Sequence, residues 1–203
     1  MTVTPDPTDQ AATAERPIRA VGLSGSLRAG SLNTALLTNV VALAAPSIEI
    51  GVFDRVGNIP LFDADIADTG DPPAVAELRA AIRASDALVV VTPEYNFGVP
   101  GVLKNALDWV SIPPGSSGLE GLPVAILGAS PGLLGTARAQ TQLRSLFVFT
   151  QSHVVNFPEV FVTRAASRFD NNGRLTDEVT SRLIGRLLTN LAWLVRQLGP
   201  RAQ

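Results

Sequence analysis

Short apolar runs alternate along the chain with longer stretches in which apolar residues recur every three or four positions. That alternation predicts βαβ units around a parallel sheet, an α/β fold. Strands are predicted at Ile18 to Leu23, Ile48 to Phe53, Ala87 to Thr92, Val124 to Gly128 and Val154 to Phe161. Between them the pattern predicts helices near Leu32 to Ala44, Ala74 to Ala84, Pro100 to Trp109 and Ala137 to Phe149. A last helix, Thr176 to Leu198, places Leu183, Leu187, Leu191, Leu194 and Leu198 in one stripe that should pack on the sheet, with Trp193 expected in the core or at a subunit interface. Two loops stand out by length, Asp54 to Pro73 with its acids and Pro60, and Ile112 to Gly121, rich in Pro, Gly and Ser; long loops in compact domains often carry function.

Length and composition narrow the picture further. A chain of 203 residues with 46% hydrophobic content suits one compact domain, taken as residues 17–199, preceded by a polar, Pro-containing tail at residues 1–16 that is expected to be disordered. The opening has no basic or apolar segment of the signal-peptide kind, and no run approaches the roughly 18 to 20 apolar residues of a membrane span, so a cytoplasmic protein is expected. Net charge is −2, and the 16 basic residues, all Arg except Lys104, are scattered, which argues against a nucleic-acid partner. There is no Cys and a single His, His153, so disulfides, thiolate chemistry, thiolate metal sites and a histidine-rich site are excluded. Redox chemistry, if present, has to come from a bound organic cofactor.

Candidate chemistry concentrates in three turns that each follow a predicted strand. After the first comes Gly25-Ser26-Leu27-Arg28-Ala29-Gly30-Ser31-Leu32-Asn33-Thr34. Its glycines permit a tight turn, Ser31 can cap the helix, and the first-turn N–H groups form a ready anion site. The hydroxyls of Ser26 and Ser31, the Asn33 amide and the Arg28 guanidinium could complete a cradle for a phosphate. A P-loop would need Lys where Ser31 stands, and the dinucleotide fingerprint of three spaced glycines is missing, so both of those nucleotide-binding classes fail. An ordinary capped turn with a solvated Arg28 stays open.

After the third strand, Pro93-Glu94-Tyr95-Asn96-Phe97-Gly98-Val99-Pro100 forms a stiff loop between prolines, with Pro100 expected to begin the next helix. Its backbone groups could pair with the edge of a planar heterocycle, with Tyr95 and Phe97 as flat apolar surface. After the fourth strand a second glycine-rich loop, Ser130-Pro131-Gly132-Leu133-Leu134-Gly135, leads into a helix.

The segments GSLRAGSLN at Gly25 to Asn33, PEYNFGVPGVLKNALDW at Pro93 to Trp109 and GASPGLLGTARAQ at Gly128 to Gln140 resemble the NADPH-dependent FMN reductase family, which includes bacterial chromate and quinone reductases and related azoreductases. That resemblance implies a flavodoxin-like three-layer sandwich with a five-stranded parallel sheet of order 2-1-3-4-5. It implies FMN as cofactor, its phosphate held by Ser26, Arg28, Ser31 and Asn33 with Leu32 and Thr34 in the same turn. Pro93, Glu94, Tyr95, Asn96 and Phe97 would line the isoalloxazine, and Ser130, Pro131 and Gly132 would approach its other side. NADPH or NADH is then the co-substrate of a flavin hydride relay to a quinone, free flavin, azo compound or oxyanion such as chromate, with no protein acid, base or nucleophile required. A homodimer or homotetramer is also implied.

Against the resemblance, many family members carry Ser where this chain has Gly98. Lys104, Asn105, Asp108 and Trp109 match the family pattern but are expected to be structural, as is His153, while Glu94 is expected to order its loop. Asp54 is taken as a solvated loop charge, and Asp63, Asp65 and Asp68 lack the turn Gly and downstream Glu of a calcium loop. Two other functions stay open: an electron carrier or regulatory module that binds FMN without turning over NAD(P)H, and an anion-binding domain without flavin.

Overall fold

The computed structural model describes residues 16–115 and 117–199. The predicted tail lies outside the described residues except for Arg16, whose guanidinium makes two bonds of 2.8 Å to the Asp86 carboxylate.

Central strands form where apolar residues run without interruption. All five residues of β3, Ala87–Val91, are buried. Ala87, Val89 and Val91 belong to one core and Leu88 and Val90 to the other. A strand buried on both faces has to sit mid-sheet, and β3 pairs in parallel with β1, Ile18–Ser24, on one side and β4, Pro123–Ala129, on the other. The strand β2, Ile48–Phe53, has polar and glycine positions among its apolar ones and forms the edge beside β1. With β5, His153–Val154, beside β4, the order is β2-β1-β3-β4-β5, all parallel.

Helices cover both faces. On one side, α1, Leu32–Ala44, and α6, Glu178–Leu198, share a core with the sheet. On the other lie α3, Pro73–Arg83, α4, Gly101–Val110, and α5, Ala137–Phe149. The expected α6 stripe is present: Leu187 and Leu191 are buried, and Leu183 and Leu194 pack against the same core. Leu198 is exposed at its end, and Trp193, at 60% exposure, is not a core residue. The helix starts at Glu178, two residues later than expected, because the Asp177 side chain accepts the Thr180 N–H and ends the preceding loop.

One loop and one strand differ from the sequence reading. Residues 54–73 hold a single 3₁₀ turn, Val56–Asn58, and a short helix α2, Ala64–Thr69, whose N-cap is Asp63. Asp65 lies in that helix's first turn, so two of the three acids serve a helix start. The last predicted strand is two strands, β5, His153–Val154, and β6, Val160–Val162, both paired with β4. Pro158 lies between them, and a proline has no N–H for the ladder. The 112–121 loop leads into the amino end of β4, so it sits across the sheet from the carboxyl ends where the three motif turns lie.

Candidate flavin site

At the carboxyl end of β1 the chain turns back to pack on its neighbour. Gly25 donates its N–H to Val91 O at 2.8 Å, and a Cβ at Gly25 would stand 3.0 Å from Leu103 and 3.2 Å from Pro93. Glycine thus brings the first turn against the turn after β3. Ser31 caps α1 as expected, its Oγ accepting the N–H groups of Asn33 and Thr34 at 3.2 Å. Leu32 N–H is the first-turn donor that this cap does not use. Arg28 is exposed, and among the described residues no carboxylate pairs with it. An unneutralised guanidinium, serine hydroxyls and a helix N-terminus make a donor set suited to a phosphate monoester.

Ser26, Arg28 and Thr34 line one cavity of about 260 Å³ together with Ser24, Leu27 and Asp54. A larger hollow of about 570 Å³ against β1, β2 and α3 contains none of the motif residues. The smaller cavity is the one that the motif residues line. Asn33 does not join it as an open ligand. It is 4% exposed, its Nδ2 donates to Ala129 O at 2.9 Å and its Oδ1 accepts the Ala129 N–H at 2.8 Å. Both ends of the amide are therefore engaged in tying α1 to the end of β4.

The turn after β3 is a two-residue hairpin. Tyr95 and Gly98 exchange both backbone bonds, at 3.2 and 2.9 Å, and Asn96 and Phe97 at the tip have φ of 49° and 64°. Positive φ at both tip residues is the primed-turn geometry; Asn adopts it readily, whereas a bulky Phe there is strained. The N–H groups of Asn96 and Phe97 take part in neither hairpin bond. Tyr95 and Phe97 are exposed, so their rings line the mouth and not the core.

Glu94 orders this turn. Helix α5 has no side-chain cap at Thr136, and the Glu94 carboxylate accepts the N–H groups of Arg138 and Ala139 at 2.9 and 3.1 Å in its place. An anion at a helix N-terminus is favourable, so Glu94 ties the turn to α5. Arg138 then lies over the Phe97 ring, 3.7 Å from its centroid. The third turn is docked through its backbone: Ser130 N–H donates to Val162 O, and Arg164 N–H donates to Gly132 O, both at 3.0 Å. Gly132 N–H donates to Ser130 Oγ and Pro131 has no N–H, so these three residues offer surface to a ligand more than donors.

The residues taken as structural have visible tasks. Asn105 accepts the Phe62 N–H at 2.7 Å and donates to Pro60 O, to which Trp109 Nε1 also donates at 2.8 Å. Lys104 pairs with Asp108 one turn along α4, and His153 is an exposed residue of β5. Asp54 is exposed and lines the same cavity as Ser26 and Arg28. Glycine is obligatory at 128, beneath the site, where a Cβ would stand 2.2 Å from both Thr92 O and Thr136 Oγ1. Sequence inspection missed Gln142, which bonds to the Phe97 carbonyl and the Val99 N–H. Its spacing of four from Arg138 on one helix face was the available signal.

A doubly wound parallel sheet with the three motif turns at its carboxyl ends is a flavodoxin-like α/β fold. The family model for NADPH-dependent FMN reductase matches residues 18–167, and the chain belongs to that family. An NAD(P)H-dependent FMN reductase of Pseudomonas aeruginosa is 48% identical over 181 residues, covering 89% of this chain and 97% of the relative. A quinone reductase of Escherichia coli is 40% identical over 173 residues, covering 84% and 92%. Among solved structures, the flavoenzyme NAD(P)H:(acceptor) oxidoreductase FerB of Paracoccus denitrificans superposes with a TM-score of 0.82 at 31% identity, covering 90% of this chain and all of that one.

Proposed function

We propose that this protein is an FMN-dependent NAD(P)H oxidoreductase that reduces quinones and related small acceptors. Family membership and the similarity to reductases along nearly the whole chain support the activity. The observation that carries it within the structure is the pairing of an unneutralised Arg28 at a capped helix start with the exposed hairpin Tyr95 to Gly98, brought together through Gly25. Bound FMN supplies two-electron transfer from NADPH or NADH to the acceptor. The protein's part is to bind and orient. Arg28, Ser26, Ser31 and Leu32 N–H hold the phosphate, with Thr34 at the cavity wall. The Asn96 and Phe97 N–H groups would be available to the ring's polar edge, Tyr95, Pro93 and Phe97 would give it flat surface, and Ser130 to Gly132 would line its other side. Asn33 and Glu94 act behind these residues by fixing the turns. No side chain in the site is assigned a proton-transfer role.

The protein is further proposed to be cytoplasmic and to act as a homodimer or homotetramer. No helix among the described residues is long and apolar enough to cross a membrane. Exposed Trp193 and Phe157 on neighbouring segments support self-association. The test of the activity is the visible spectrum of protein reconstituted with FMN, followed by anaerobic mixing with NADPH or NADH. Rapid bleaching of the bound flavin is expected with at least one of them. Bound flavin that neither nucleotide bleaches would leave an electron carrier in place of a reductase, and protein that stays colourless after FMN is added would end the reading altogether.

A further inference from the structure

The exposed hairpin after β3 holds an unfavourable geometry, with Phe97 at φ 64°. Such a conformation persists only where the surroundings determine it more than once. Glu94 supplies one constraint at the entrance of the turn. At its exit, Gln142 on α5 supplies another: its Oε1 accepts the Val99 N–H at 3.1 Å and its Nε2 donates to Phe97 O at 3.2 Å. One planar amide thus spans two peptide groups on either side of Gly98, offering an acceptor to one and a donor to the other. Gly98 belongs to the same device. A Cβ there would stand 3.2 Å from Gln142 Oε1, tighter than ordinary contact.

We propose that Gln142 is a positioning residue for the flavin-ring turn, and that glycine at 98 is what gives its amide room. The proposal rests on the functional reading above, in which the hairpin lines the ring. Gln142 does not touch the reacting atoms; it fixes the direction of the Asn96 and Phe97 N–H groups by clamping the two peptides that follow them. Losing two hydrogen bonds of ordinary strength should weaken FMN binding by roughly fivefold to a hundredfold. The unliganded protein should keep its melting temperature, since Gln142 is exposed and buries no core surface.

The experiment measures FMN affinity by quenching of flavin fluorescence, and melting temperature with and without FMN, in the wild type, Gln142→Met, Gln142→Ala, Gly98→Ser and the double variant Gly98→Ser/Gln142→Ala. Methionine keeps the length and loses the amide, so it should behave like alanine. Gly98→Ser should weaken FMN in the wild-type background and have little added effect once Gln142 is alanine, since the crowded partner is gone. Ser145→Ala, three residues further along α5 and outside the clasp, should match the wild type. The proposal is overturned if Gln142→Met binds FMN within twofold of the wild type, or if Gly98→Ser costs the same in both backgrounds. Failure of the wild type itself to bind FMN would instead refute the functional reading, so the two failures are distinguishable.

Discussion

Asn33 shows how much a side chain's neighbours decide its task. It sits in the phosphate motif, yet both amide atoms serve Ala129, 96 positions away. Arg28 is the opposite case, an exposed cation without a carboxylate partner among the described residues. Charge-assisted bonds contribute about 1.5 to 3 kcal/mol. Arg28→Ala is therefore expected to weaken FMN binding by about ten- to a hundredfold in a calorimetric titration, while the melting temperature without FMN stays unchanged. Asp177 gives a pH prediction. The Thr180 hydroxyl and N–H, with Arg168 beside them, hold its carboxyl below the ordinary range. A lowered folded pKa means stability that is present above the unfolded value, about 3.9, and lost as pH falls through the folded value. Asp177→Ala should cost about 1 kcal/mol in urea unfolding at pH 7, and the gap to the wild type should shrink below about pH 4.

Between elements, the site is assembled by close approaches that only small residues allow. Gly128, next to last in β4, lies against the Thr92 carbonyl and the Thr136 hydroxyl, with a Cβ placed 2.2 Å from each. Those neighbours are backbone and a buried side chain, so they cannot move aside cheaply. Gly128→Ala is expected to destabilise by about 3 kcal/mol or more, read as a large fall in the urea midpoint or as failure to accumulate folded protein. Helix α4 works in the other direction. Asn105 and Trp109, within a segment that resembles the flavin family, are engaged with the 59–62 stretch. That part of the motif makes a packing contact, and the turn proposed to face the flavin lies earlier in the same motif.

For the molecule as a whole, ligand binding and folding are linked. FMN at a hundred times its dissociation constant should add about 2.7 kcal/mol of stability. For a domain of this size that corresponds to a rise of roughly 5 to 10 °C in melting temperature, and riboflavin, which lacks the phosphate, should give much less. An equal rise with both would remove the phosphate cradle from the account. Light scattering should give a mass that is a multiple of the 21.3 kDa chain, with Trp193→Glu lowering it.

The alternating pattern of apolar runs was enough to establish the α/β class, four of the strands and the main helices, because burial on both faces of a sheet leaves a mark on contiguous residues. The three turns were legible as well: Gly, Pro and capping Ser have local conformational effects that need no partner. Other features were not decided locally, although Glu94 was expected to order its loop and Pro158 stands where the last predicted strand breaks. The break between β5 and β6, the short helix within 54–73, the engagement of Asn33 with Ala129, and the roles of Glu94 and Gln142 as the two clasps of one hairpin all depend on groups far apart in the chain. Hydrogen bonds of that kind are set by which strand ends the sheet order brings together, so only the tertiary structure could decide them.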